Sequence, residues 1–161
     1  MNQTHIHLLI THLPIFGSIL GGLVLAHGIW KKSNQTKIAA YNVLIISSIG
    51  AVIAYLTGEG AEEMVEKIQG VSEKIIEQHS DFAVYALIAL CILGATSILG
   101  LFFAIINSTL SRKIAIIILI ISLVSFCLIS YTGYLGGQIR HTEINAVTSI
   151  EQMNGEEDKD D

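Results

Sequence analysis

The stretch IAIIILIISLVSFCLISYTGYLGGQ, residues 114–138, decides the fold, because no Asp, Glu, Lys or Arg interrupts it. A helix needs about 20 largely apolar residues to cross the hydrocarbon core of a bilayer, and this run supplies them. Outward from it, three more stretches without those charges occupy residues 6–30, 38–58 and 82–111. The composition agrees: 52% apolar residues, 14% charged residues and a mean hydropathy of +0.61 lie outside the range of soluble domains. A secreted disulfide scaffold, a disordered regulator and an ordinary nucleotide-binding enzyme are all excluded. The expected fold is all-α, an integral membrane four-helix bundle over residues 1–144 with spans at 6–30, 38–58, 82–108 and 114–137. An acidic, flexible tail is expected over residues 145–161.

The net charge of −5 conceals a strict sorting along the chain. Lys31, Lys32 and Lys37 follow the first span and Arg112 and Lys113 follow the third, with no acid in either loop. All 14 acids fall between Glu59 and Asp81 or after Arg140, and Lys67, Lys74, Arg140 itself and Lys159 are the only cations on that side. The positive-inside rule then puts two short basic hairpins in the cytoplasm and both termini on the periplasmic or external side. The residues ahead of the first span, Met1 to His7, carry no Lys or Arg, so the polarity is the reverse of a secretory signal. Lipid is the expected surrounding, and nucleic acid is not an expected partner, since the undiluted cations are topogenic.

Within the spans, Pro14 is expected to break the regular backbone near His12. Gly17, Gly21 and Gly28 allow close helix contact, and Ser47, Ala51, Ala54 and Gly58 recur as one small-residue face, as do Ser122, Ser125, Thr132 and Gly136. Cys91 and Cys127 are expected to remain thiols that pack inside their helices. Residues 59–81 alternate acids and lysines with Ala61, Met64, Val65, Ile68, Ile75 and Ile76, and Gly70 divides them. That amphipathic pattern predicts one or two helices lying in the outer interface. No convincing internal repeat is visible in the sequence, although two helical hairpins are implied.

Five of the six histidines fall at one end of this topology. His5, His7 and His12 begin the first helix, His79 begins the third, and His141 follows the fourth, while Thr57, Glu59, Glu62 and Glu63 close the second. His5 and His7 read as interfacial side chains in water, and His27 as a lipid-boundary anchor beside Trp30. His12, His79 and His141 stand where helices meet the outer interface, and ionisable groups that face a bundle interior are costly enough to suggest function. His79 continues the series Ile75, Ile76, His79, Phe82 and Ala83, so its ring is expected to face the bundle, where Glu59 or Glu63 could accept its hydrogen bond. Arg140, beside His141, could pair with a central-loop acid or hold a propionate by its bidentate fork.

Imidazoles from different helices hold a haem iron axially, and the same groups bind copper, zinc or iron directly. No Cys-x-x-Cys-His, Cys-rich spacing, Ser-His-Asp set, phosphate loop or His-Glu-x-x-His pattern is present, so covalent haem and iron–sulfur clusters are excluded. The middle of the spans holds no charged residue to relay an ion, which makes a transporter less attractive.

The segments His7-Leu8-Leu9-Ile10-Thr11-His12-Leu13-Pro14, Thr57-Gly58-Glu59-x-Ala61-Glu62, and Gly136-Gly137-Gln138-Ile139-Arg140-His141-Thr142-Glu143-Ile144 resemble those of a family of small uncharacterised bacterial membrane proteins with four helices. The resemblance covers nearly all of the chain except the acidic tail. It implies the same topology and draws attention to His12, His79 and His141, and it names no ligand. The leading expectation is a b-type haem cytochrome near the periplasmic face, with two of His12, His79 and His141 as axial ligands and Arg140 on a propionate. A membrane quinol and a periplasmic redox protein are its expected partners. The alternatives are a haem-free transition-metal site formed with Glu59, Glu62 or Glu63, and an accessory subunit of a larger membrane complex.

Overall fold

The computed structural model describes residues 3–65 and 71–140, and every regular element in them is helical. The helices are α1 (Gln3–Ile10), α2 (His12–Trp30), α3 (Asn34–Val65), α4 (Glu73–Ile105) and α5 (Ser111–Arg140). Because α1 and α2 continue each other, four helices among the described residues are long and apolar enough to cross a membrane. Residues 141–161, which include the expected tail and His141, lie outside the described residues.

Pro14 lies in the first turn of α2, where its missing N–H leaves the carbonyl of Ile10 without a helical donor. The helix pauses at Thr11, yet that residue keeps helical dihedrals (φ −59°, ψ −27°), so α1 and α2 stay in phase. The described parts of the amphipathic segment are not separate helices. Residues 59–65 are the last turns of α3 and residues 73–81 the first turns of α4, so the described parts continue the long helices as projections beyond the apolar runs. Ala61 and Ile76 are the buried apolar anchors of these projections. The reason is continuity of backbone hydrogen bonding: no Pro interrupts either helix at the change from apolar to charged sequence.

Helices α2, α3, α4 and α5 form a ring in which α5 closes back onto α2, each antiparallel to its neighbours, while α1 packs on α3. Large apolar side chains cover the outside, among them Phe16, Leu20, Ile46, Ile92, Phe102 and Ile120. The inside is narrow. A methyl on Gly17 would come within 2.7 Å of Ser47 Cβ, and one on Gly94 within 2.7 Å of Ser48 Cβ. Serines then tie the helices together: Ser47 Oγ donates to the Pro14 carbonyl (3.2 Å), Ser48 Oγ to that of Leu90 (2.7 Å), and Ser122 Oγ to that of Ser18 (2.8 Å). Close backbone approach with interhelical hydrogen bonds is how apolar helices associate where lipid removes the hydrophobic drive. The small-residue faces read from the sequence are thus the contact faces. Cys91 and Cys127 are free thiols, as expected, but both are exposed on the outer surface of the ring and do not pack inside it.

Both hairpins turn in the same way. Ser33 N–H reaches back to the Gly28 carbonyl (3.0 Å) across Lys32 at φ 53°, and Ser108 N–H to that of Phe103 (3.1 Å) across Asn107 at φ 51°. These are six-to-one closures with a left-handed residue just past the helix end. The Asn34 amide joins the two turns by donating to Asn107 Oδ1 at 2.6 Å. Lys31, Lys32, Arg112 and Lys113 are exposed at this basic end, where Lys31 lies 4.7 Å over the Trp30 ring and His27 meets the same ring edge-on.

A candidate histidine site

At the opposite, acidic end, two histidines turn into the bundle. His79, on α4, donates from Nδ1 to the Thr132 carbonyl of α5 at 2.9 Å. His7, on α1, donates from Nδ1 to the Ala54 carbonyl of α3 at 2.8 Å. A carbonyl only accepts, so Nδ1 carries the proton in each ring and a neutral ring keeps its lone pair on Nε2. Neither Nε2 has a hydrogen-bond partner among the described residues.

The local sequence makes both contacts possible in one way. A helical side chain leans over the preceding turn, so residue i+4 shields the carbonyl of residue i. Four residues after Ala54 stands Gly58, and four after Thr132 stands Gly136. A methyl on Gly136 would press on His79 Cε1 at 3.1 Å, whereas one on Gly58 would only touch His7 Cε1 at 3.6 Å. Thr57 Oγ1 gives the Ala54 carbonyl a further donor at 3.1 Å, and Thr132 Oγ1 is itself turned to Leu128. Beside His79, Phe82 meets Tyr131 edge-on at 4.6 Å between centroids. The two hairpins thus repeat one device, a histidine on an inward-running helix clasped to a glycine-flanked carbonyl on the next helix. The repeat is visible in the structure and not in the sequence.

The expected site residues divide. His79 faces the bundle, as the series Ile75, Ile76, His79, Phe82 and Ala83 anticipates, but its acceptor is Thr132 in place of Glu59 or Glu63. His12 is exposed: its Nδ1 meets the Leu8 carbonyl of its own chain turn at 3.1 Å and its ring stacks on the exposed Phe16. His7, read from the sequence as a wet interfacial residue, takes the inward place. The signal was available, since His7, Pro14, Gly21 and Gly28 recur every seven residues and the last three are buried, whereas His12 falls off that stripe. Arg140 ends α5 at this end of the bundle, and its side chain, like all of His141, lies outside the described residues.

Glu59 and Glu63 are exposed, and Glu62 lines an open acidic hollow with Glu73, Glu77 and Asp81. Among the described residues no group of three or more His, Cys, Asp or Glu side chains converges to hold a metal ion. The inward-turned imidazoles are His7 and His79, one on each hairpin. Two imidazoles fall short of the four ligands of a tetrahedral zinc site. Comparison with protein-family models, curated proteins and solved structures returns no match.

Proposed function

We propose that this chain is an integral membrane cytochrome of b type, with its basic turns in the bacterial cytoplasm, its termini outside, and haem held near the outer face by His7 and His79. The observation that carries the reading is the pair of imidazoles, each fixed through Nδ1 to a backbone carbonyl with Nε2 left over. Metal-ligating histidines are held this way, because the second hydrogen bond sets the tautomer and the ring plane. A haem between two imidazoles carries one electron at a time. The protein's own part is to fix two rings on separate hairpins and to surround them with apolar helices. Arg140, on the same end of α5, is the candidate cation for a propionate. A membrane quinol as donor and a periplasmic redox protein as acceptor fit an outward-facing site bounded by lipid.

The exposure of His12 favours His7 as the partner of His79, and the exposure of Glu59 and Glu63 disfavours a haem-free copper, zinc or iron site built with them. Titrating haem into the purified protein tests the reading. A six-coordinate low-spin spectrum at one haem per chain is expected, and a titration indistinguishable from haem in detergent alone would refute it.

A further inference from the structure

The buried polar residues of the ring are, with the exception of Lys37, all hydroxyl-bearing serines and a threonine. Most have found a carbonyl, but the hydroxyls of Tyr41, Ser97 and Ser125 have no partner although these residues are 0% exposed, and that of Ser130 is also buried and unpaired. They belong to α3, α4 and α5, three adjacent members of the ring. An unpaired hydroxyl in apolar surroundings is destabilising, and folded proteins relieve it with buried water. Tyr41 makes the point sharply. Its ring lies against the place where Gly100 lacks a side chain and where the Ile118 methyl also comes near, a position that Phe would fill equally well.

The orphaned hydroxyls are spread in depth. Counted by helical rise from the basic end, Tyr41 is about 10 Å in, Ser97 about 12 Å, Ser125 about 21 Å and Ser130 about 28 Å. Ser122, Ser47 and Ser48 fall between them, and beyond lies Thr132, whose carbonyl holds His79. At the basic end the buried Lys37 ammonium donates to Ser111 Oγ at 2.7 Å. We propose that ordered water joins these hydroxyls and that the bundle core conducts protons between its basic end and the histidine pair. A hydroxyl or water accepts a proton on oxygen and releases its other proton onward, so one O–H bond forms for each that breaks and no charged relay residue is needed. The route does not depend on haem.

The test uses the full chain, without haem, in phosphatidylethanolamine and phosphatidylglycerol vesicles with an entrapped pH dye and a valinomycin-set potassium potential. Proton entry at least about five-fold faster than in protein-free vesicles is expected, with potassium retention unchanged, and a fall of about three-fold or more in Ser97→Ala/Ser125→Ala and in Tyr41→Phe. Each substitution removes only oxygen atoms, and retention of fold is checked by helical circular dichroism and elution volume. Wild-type entry equal to that of lipid alone overturns the proposal, and so does wild-type entry that neither folded variant reduces. Should a variant fail to fold, the wild-type comparison alone decides.

Discussion

His79 lies against Gly136, and the absence of a side chain there is what lets its ring reach the Thr132 carbonyl one turn earlier at 2.9 Å. The His7 ring stands in the same relation to Gly58 with a little more room.

That difference predicts an ordering of variants. Gly58→Ala should change thermal stability in detergent by less than about 0.5 kcal/mol, since the added methyl makes an ordinary contact. Gly136→Ala should cost about 1 kcal/mol by pressing on the ring. Equal effects at the two positions would contradict the asymmetry.

Removing the rings themselves separates the inward histidines from the outward one. His79→Ala and His7→Ala each leave a carbonyl contact unmade and a gap at the bundle end, for a loss of about 1–3 kcal/mol. His12→Ala should lose less than about 0.5 kcal/mol, because its ring is exposed and bonded only within its own turn. Denaturation of the three variants in one detergent checks this, and a His12 variant as unstable as the His79 variant would count against the assignment of faces.

The turns offer an independent check of the fold. Lys32 sits at φ 53°, so Lys32→Gly should raise stability, by less than the roughly 1–2 kcal/mol that the left-handed conformation costs a residue with a side chain. Asn34→Ala should lower it by about 1 kcal/mol through loss of the contact to Asn107.

Orientation is read by labelling. In a background with Cys91 and Cys127 replaced by Ala, a cysteine at exposed Ser72 should react with a membrane-impermeant maleimide added outside intact cells. One at exposed Thr109 should react only after the membrane is opened. The reverse pattern would place the histidine end in the cytoplasm.

The long helices and their contact faces were legible because each is written in consecutive residues: uncharged runs set the lengths, and Gly, Ala and Ser at three- and four-residue spacing set the faces. That residues 59–65 and 73–81 continue α3 and α4 was not legible, since amphipathic periodicity is the same for a separate helix and for the end of a longer one. The site was half legible. His79 sits in a clear apolar series, while the seven-residue stripe that joins His7 to Pro14, Gly21 and Gly28 is legible only once the helix is known to stay in phase through Thr11. The acceptors could not be read at all, since any helical carbonyl is open to a ring wherever glycine stands four residues on, and only the pairing of α1 with α3 and of α4 with α5 selects Ala54 and Thr132.

The central claim is tested most directly by the reduced-minus-oxidised optical spectrum of the protein purified from haem-replete cells, taken alongside His7→Ala, His79→Ala and His12→Ala. The account predicts a b-type spectrum that is lost or turned high-spin in the His7 and His79 variants and kept in the His12 variant. A wild-type protein without a Soret band, or a spectrum that survives loss of both His7 and His79, would contradict it.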